Sequence, residues 1–286
     1  MTRSETIEAR DPSIVIDVKD LRFSYGPGLP DVLKGVDLRV RQGEFVALLG
    51  QNGAGKTTLA KHLNGLHQPT SGEVRVAGKR VADQPLSVLA RSVGYCYQNP
   101  DHQIFSSSVA KEVGFGPTNL GYSSAEVDEL VSDALDLVGI AALRDAHPFT
   151  LGRGQRQLVA VASILAMDPR LLVIDEPTTG MDRVGGMRAM GLLSKWASEG
   201  RTILVITHDM DLVSEFIDRS VVMAGGRILA DGPTQDVFRD TAVLEEAHLM
   251  APAPVTISDR LERFGVDRAK SISEAVGQLV GPTEGR

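Results

Sequence analysis

Leu48–Leu66 reads LLGQNGAGKTTLAKHLNGL, in which Gly50, Gly53, Gly55 and Lys56 stand between an apolar run and a helical pattern. Gly50, Gly55, Lys56 and Thr57 fit G-x-x-x-x-G-K-[ST], the phosphate-binding loop. Phe45–Leu49 reads as a short buried strand, and Leu59, Leu63 and Leu66 recur at helical spacing until Pro69 closes the segment. Glycines at a strand-to-helix junction let successive backbone N–H groups curl around phosphate oxygens, and the helix N-terminus adds partial positive charge. Gly50, Asn52, Gly53, Ala54, Gly55, Lys56, Thr57 and Thr58 are therefore the candidate phosphate contacts, with Lys56 reaching the outer phosphates and Thr57 offering a hydroxyl to Mg²⁺. A glycine-rich turn with a solvated lysine is the plainer reading, and the strand–loop–helix context speaks against it.

The chain has 286 residues, 42% of them hydrophobic, enough for a sizeable core and one or two domains. No run approaches the ~18 apolar residues of a membrane span, and the start MTRSETIEARDPS has no apolar core of a secretion signal. The expectation is a chain that reaches a membrane only through a partner, in a reducing cytoplasm. The single cysteine, Cys96, makes no internal disulfide, and its strand-like setting at Val93–Tyr97 suggests a core thiol. A net charge of −7 without a basic run argues against a surface that embraces nucleic acid.

Ile14, Ile16 and Val18, then Val36, Leu38 and Val40, alternate with polar residues, which predicts an antiparallel sheet near the nucleotide loop. Leu171–Ile174 and Ile203–Ile206 are instead continuous, as strands covered on both faces are. Both end in polar residues, where an open parallel sheet places its ligand. Met187 to Trp196 carries a helical pattern between them. In residues 107–149, Ser123-x-x-Glu126 is a capping box opening a run whose one face holds Val127, Leu130, Val131, Ala134, Leu135 and Val138, ended by Gly139. That predicts an inserted helical subdomain, with its flanks spanning about 100–165. Past Asp240 the strand–helix rhythm stops, and Ala251–Val255 (APAPV) links to a helical tail at roughly 257–280. The organisation expected is a flexible 1–13, a core of 14–240 and an extension of 241–286.

Leu171–Pro177 (LLVIDEP) places Asp175 and Glu176 at a strand end, where one carboxylate can bind Mg²⁺ and the next polarise an attacking water. Thr178–Asp182 (TTGMD) follows, Ile206–Asp209 (ITHD) ends the next apolar run, and Tyr97–Asp101 (YQNPD) lies upstream. In this order the motifs resemble the ATPase subunit of ABC transporters over about residues 14–240. The resemblance implies an α/β fold: a P-loop NTPase core of ABC type with an antiparallel β subdomain, an inserted helical subdomain and a short helical C-terminal extension. It implies ATP and Mg²⁺ as cofactors, with Mg²⁺ held by Thr57, Gln98 and Asp175. By the same likeness Tyr25 stacks on adenine, Gln98 senses the metal and γ-phosphate, Glu176 is the general base, His208 contacts the γ-phosphate and Asp182 crosses a dimer interface. Taken singly, Tyr25 beside Phe23 could be strand packing and His208 an ordinary polar residue. The ordered set carries the reading.

Tyr97–Gly121 (YQNPDHQIFSSSVAKEVGFGPTNLG) and the tail His248–Gly265 (HLMAPAPVTISDRLERFG) resemble, more narrowly, the ATPases of energy-coupling factor (ECF) transporters. That family imports vitamins and transition-metal ions. The resemblance implies a second ATPase subunit, a membrane scaffold docking near Asp101–Phe105 and the helical subdomain, a membrane substrate-binding protein reached through the scaffold, no nucleic acid partner, and a peripheral place on the cytoplasmic membrane face. The extension is a candidate dimer contact. Where relatives carry LSGGQ, this chain reads LGRGQ: Gly152, Arg153, Gly154 and Gln155 follow Leu151. Because a signature serves the nucleotide of the other subunit, the departure leads to the expectation that the two ATPases are non-identical. The rivals are an importer of another ABC type, a soluble ABC ATPase acting on DNA or ribosomes, and a subunit that binds ATP without turnover. One uninterrupted core without sustained heptads opposes the DNA and ribosome class, and intact Lys56, Asp175, Glu176 and His208 oppose the last.

Overall fold

In the computed structural model, which describes residue 11 and residues 13–264 and 266–280, the predicted alternation becomes two sheets. The segment 1–10, and with it nearly all of the N-terminal stretch expected to be flexible, lies outside the described residues.

The chain begins with β1 (Ile14–Phe23), β2 (Leu33–Arg41), β3 (Phe45–Leu49), α1 (Lys56–Leu63), β4 (Ser71–Val76), β5 (Lys79–Arg80), α2 (Leu86–Leu89) and β6 (Val93–Cys96). Three helices follow, α3 (Val109–Asn119), α4 (Ser124–Leu137) and α5 (Arg153–Leu165). The rhythm resumes with β7 (Leu171–Asp175), α6 (Arg183–Ser198), β8 (Thr202–Ile206), α7 (Met210–Phe216), β9 (Arg219–Ala224) and β10 (Arg227–Pro233). Short helices close it: α8 (Thr234–Val237), α9 (Thr241–Glu246), α10 (Ala253–Leu261) and α11 (Ile272–Val280).

The period-two segments pair antiparallel as expected, with Ile16 opposite Val40 and Val18 opposite Leu38, in a sheet ordered β2-β1-β4-β5. The continuous apolar runs lie inside the second sheet, ordered β10-β9-β3-β8-β7-β6, in which β9, β3, β8, β7 and β6 run parallel and β10 is an antiparallel edge. Why those runs must be continuous is visible residue by residue. On β3, Val46 and Leu48 join a core shared with the antiparallel sheet and α1, whereas Ala47 and Leu49 join a core built on the helical side. β7 and β8 divide in the same way: Leu171, Val173, Leu204 and Ile206 face the first core, and Leu172, Ile174, Ile203 and Val205 the second. Neither face meets water, so neither can carry polar residues.

The helical subdomain is α3, α4 and α5. Ser123 caps α4 with the full reciprocal box, its hydroxyl accepting from the Glu126 N–H and the Glu126 carboxylate accepting from the Ser123 N–H at 2.7 Å. Val131, Ala134, Leu135 and Val138 are buried on the anticipated face, with Val127 and Leu130 partly so.

Two expectations change. Leu66 does not continue α1; the helix ends at Leu63, and Leu66 is exposed after a turn at Gly65, whose φ of 80° suits glycine. The helical tail expected at roughly 257–280 starts earlier and is interrupted: its two helices are joined by a stretch in which Val266 and Ala269 pack with Ala275 into a small core of their own.

β6 matters for the site because it leads directly into the Tyr97–Asp101 loop. Gly94 lets α5 approach it: a Cβ there would meet Ile164 Cγ2 at 2.1 Å and Pro169 Cγ at 2.9 Å. Gly94→Ala should therefore destabilise the fold by about 1–3 kcal/mol through overpacking, seen as a lowered urea midpoint; an unchanged midpoint would show that α5 can retreat freely from β6.

Candidate active site

The parallel strands β3, β7, β8 and β6 deliver their C-terminal ends to one edge of the sheet, and each end carries a motif residue. Gly50 follows β3 with φ 144°, and a Cβ on it would strike the Met223 carbonyl oxygen at 2.2 Å, so the loop can turn there only as glycine. Gly55, at φ 103°, is the N-cap of α1, an outlet that leaves the first helical N–H groups facing the loop. Asn52 and Gly53 are exposed, while Ala54 is buried and anchors the loop by accepting from the Gly226 N–H at 3.1 Å.

Lys56 is buried, and its ammonium donates to the carbonyls of Gly50 (2.7 Å) and Gln51 (2.9 Å). Burial lowers its pKa from the usual lysine value, and the charges of Glu176 and Asp175 oppose that shift. Thr57, exposed toward the loop mouth, donates its hydroxyl to Asp175 Oδ2 at 3.1 Å, joining the start of α1 to the end of β7. The Asp175 carboxyl is raised above the ordinary range, chiefly by burial, while the hydroxyls of Thr57 and Tyr95 pull it down. A hydroxyl and a carboxylate this close are the donor set expected of Mg²⁺, whose remaining positions are filled by water and substrate phosphates rather than by a protein cage. No cluster of three or more His, Cys, Asp or Glu suited to a metal is found among the described residues.

Glu176 sits just past β7, buried, with its N–H bonded to the Ile206 carbonyl at 2.7 Å and a left-handed φ of 54°. A non-glycine residue held there stores backbone strain of order 1–3 kcal/mol, a feature that collects at functional sites. Its Oε1 accepts from His208 Nδ1 at 2.8 Å, and Thr207 Oγ1 stands 3.4 Å from Oε2. The His208 side chain is 74% exposed, so the pair joins a buried carboxylate to an imidazole that opens to solvent. The structure thus unites Lys56, Thr57, Asp175, Glu176 and His208. Gln98 lies exposed on the loop after β6, on the same sheet edge.

Tyr25 lies beyond the end of β1 and is 58% exposed. Its hydroxyl shares a 3.0 Å hydrogen bond with Thr58 Oγ1, and its ring meets the Phe23 edge at 5.0 Å. Behind it, His62 and His67 pack on Phe23, with ring centroids 4.7 and 4.9 Å away. Burial lowers the pKa of both imidazoles, and His62 Nδ1 donates to the Thr58 carbonyl at 2.8 Å. These histidines were not anticipated, because in sequence they fall between motifs.

The LGRGQ stretch is placed elsewhere. Gly152 caps α5, which packs on α3, α4 and β6, and the Gln155 side chain accepts from the Gly152 N–H at 3.1 Å. Arg153 lies along the loop after β7: a Cβ on Gly180 would meet Arg153 Cδ at 2.8 Å, and one on Gly154 would meet Met181 Cγ at 3.6 Å. Asp182 caps its own helix α6, accepting from the Gly185 N–H at 2.7 Å. The role across an interface implied for Asp182 gains no support from this placement. Gln103 was also missed; it holds the motif loop by accepting from the Tyr97 N–H at 3.3 Å and donating to the Ala160 carbonyl at 3.0 Å.

A phosphate-binding loop, a strand-end Asp-Glu pair and a histidine on the carboxylate, with a separate helical lobe bearing a glycine-rich helix start, define an ATP-binding cassette. The sequence profile described as ABC transporter matches residues 33–179. The energy-coupling factor transporter ATP-binding protein EcfA of Methanocaldococcus jannaschii is 44% identical, over 83% of this chain and 86% of that protein. EcfA of Methanothermobacter thermautotrophicus is 38% identical, over 93% and 86%. Among solved structures, cbiO1 from Clostridium perfringens, part of the ABC transporter complex cbiONQ, superposes with a TM-score of 0.75 at 35% identity, covering 88% of this chain and 97% of that one. The chain belongs to the ABC transporter family, as an ATP-binding cassette. Longer relatives from Methanosarcina acetivorans and Caldanaerobacter subterraneus are 45% and 42% identical, and the chain spans only 41% and 46% of their length.

If Tyr25 is the adenine platform, Tyr25→Ala should weaken ATP binding by about 1–3 kcal/mol, by analogy with base–aromatic stacking. Calorimetric titration with ATP checks this; an unaltered dissociation constant would leave the ring a packing role alone.

Proposed function

We propose that this chain is the ATP-hydrolysing subunit of an ECF-type importer, powering uptake of a vitamin or transition-metal ion through a membrane scaffold. The observation that carries hydrolysis is the buried Glu176 carboxylate hydrogen-bonded to His208, beside Lys56 and Asp175 on one strand-end edge. ATP entering the loop would draw the Lys56 ammonium from the carbonyls of Gly50 and Gln51 onto the outer phosphates. Glu176 would then orient a water in line with the γ-phosphate, with His208 fixing the carboxylate and reaching the phosphate from its exposed side. Mg²⁺, held by Thr57 and Asp175 with Gln98 nearby, would supply neutralisation of phosphate charge. A dimeric cassette bound to ADP and Pi, 26% identical over 77% of this chain with a TM-score of 0.69, supports nucleotide at this edge and a paired arrangement.

The ECF assignment draws on the EcfA relatives and the cbiO1 structure. The scaffold would dock beside Asp101–Phe105. Arg156 of α5 binds Asp101 at 2.7 Å, and the buried Glu112 carboxylate accepts from the N–H groups of Phe105 and Ser106 at 3.1 and 2.8 Å, so that loop is a fixed surface. It borders a groove of about 650 Å³ whose walls include Leu66, Leu86, Tyr97, Phe105, Phe115 and Met167. Phe105 and Phe115 stand exposed in edge-to-face contact, apolar surface suited to a partner helix. In the extension, Ile272, Val276 and Leu279 are exposed at helical spacing on α11, a candidate contact with the second ATPase. That second ATPase would be non-identical and would supply the signature to the Lys56 site, while Arg153 faces its nucleotide. No helix among the described residues is long and apolar enough to cross a membrane, which accords with peripheral attachment at the cytoplasmic face. Nucleic acid is not a partner in this reading.

A mild-detergent pull-down from native membranes tests the assembly: a hydrophobic scaffold and a second cassette should co-purify, and nucleic acid instead would overturn the importer assignment. On the chemistry, Lys56→Ala should abolish productive ATP binding, whereas Glu176→Gln should keep ATP bound and stop turnover. Near wild-type phosphate release by Glu176→Gln would remove Glu176 as the base.

A further inference from the structure

Tyr95, on β6, belongs to two places at once. Its hydroxyl donates to Asp175 Oδ2 at 3.4 Å, the same oxygen that receives the Thr57 hydroxyl at 3.1 Å. Its ring lies in the wall of the groove beside the Asp101–Phe105 loop and meets the edge of Tyr97, a further groove residue, at 4.9 Å between centroids. Neither function of the groove nor of the nucleotide edge needs a tyrosine here, since a phenylalanine would fill the same space. A phenol O–H facing a carboxylate oxygen is the donor of the pair.

We infer that Tyr95 is a positioning residue that holds the Mg²⁺-binding aspartate from the groove side, so that whatever fills the groove is felt in the metal requirement of the nucleotide site. The inference rests on the reading of Thr57 and Asp175 as the metal donors. The geometry supplies the direction of coupling. With two hydroxyls on Oδ2, the carboxylate is held at that oxygen from two sides; displacing the Tyr95 ring toward β7 or away from it changes one of the two restraints and leaves the Thr57 restraint in place. The backbone around Tyr95 has little freedom to absorb such a push. It is paired with Val173 across the parallel ladder, and the preceding Gly94 lies in close contact with Ile164 and Pro169. A side-chain shift is therefore the soft coordinate. The contact does not involve Gln98, which lies exposed on the loop after β6.

The test compares ATP binding to the purified full chain by calorimetry in EDTA and across an Mg²⁺ titration. Hydrogen-bond partners of metal-ligating carboxylates commonly govern metal affinity by 10–100-fold. The long bond places Tyr95→Phe at the lower end, so the Mg²⁺ concentration for half-maximal tightening should rise about tenfold while affinity in EDTA stays within about twofold. A merely structural role would weaken both conditions together, and that result, or an unshifted Mg²⁺ dependence, overturns the assignment. Ser87→Trp, an exposed groove-wall substitution outside the phosphate loop, tests the link itself. It should shift the Mg²⁺ requirement in the wild-type background and not together with Tyr95→Phe. Equal shifts in both backgrounds, or none in either, would remove the groove from the proposal. A chain that bound no ATP in any condition would overturn the nucleotide-site reading and this inference with it, whereas ATP binding with wild-type metal dependence in Tyr95→Phe overturns this inference alone.

Discussion

A buried lysine ammonium has to be held by something, and at Lys56 that requirement organises the molecule. Taking a cation out of water is costly unless acceptors and countercharges surround it. Here two loop carbonyls accept from Nζ, and the carboxylates of Asp175 and Glu176, at and just past the end of β7, lie near enough to oppose the desolvation. Only the crossover order of the sheet brings them there, since β3 and β7 are separated by β8 and reach the same edge because all three run parallel. The phosphate loop, the Asp-Glu pair and the histidine after β8 are consequences of one electrostatic demand met by one topology. A nucleotide would replace the two carbonyls as the acceptor of the same ammonium, so the loop is already charged and shaped for an anion.

Much of this was legible in the sequence, for reasons that are local. Gly50 and Lys56 announce themselves because the loop's backbone conformation and charge admit few other residues. The double-sided burial of β3, β7 and β8 shows as unbroken apolar runs, and the Ser123–Glu126 cap is a contact between residues three apart. What escaped was set by tertiary placement. Tyr95 looks like any aromatic on a strand until Asp175 arrives beside it, and Gln103 means nothing before α5 presents the Ala160 carbonyl. Leu66 keeps the helical spacing yet lies past Gly65, where the backbone has already turned out of the helix. The break in the tail, near Val266 and Ala269, packs on Ala275, and its local signal, Ser271 capping α11 by accepting from the Glu274 N–H at 3.2 Å, went unread.

The altered signature also acquires a setting. Arg153 opens α5 and its aliphatic stem covers Gly180, while Met181 approaches Gly154, so the start of the signature helix and the loop after Glu176 are packed as one surface. Asp182, busy as the cap of α6, stiffens that loop further. The result is a single preassembled edge bearing the Arg153 guanidinium, and its charge is the feature a matching surface would have to accommodate.

The sheet has one more consequence, which concerns change and not chemistry. Alternate residues of β3, β7 and β8 are committed to two different cores that share nothing but that wall. Substitutions in non-contacting regions combine nearly additively, so replacements among Val113, Val131, Leu135 and Val159 on the helical side are insulated from Ile16, Leu59 and Leu63 behind the phosphate loop. A lineage can therefore remodel the helical lobe through many small steps while the nucleotide side is inherited intact, and the partition itself is what would let one such engine suit many assemblies.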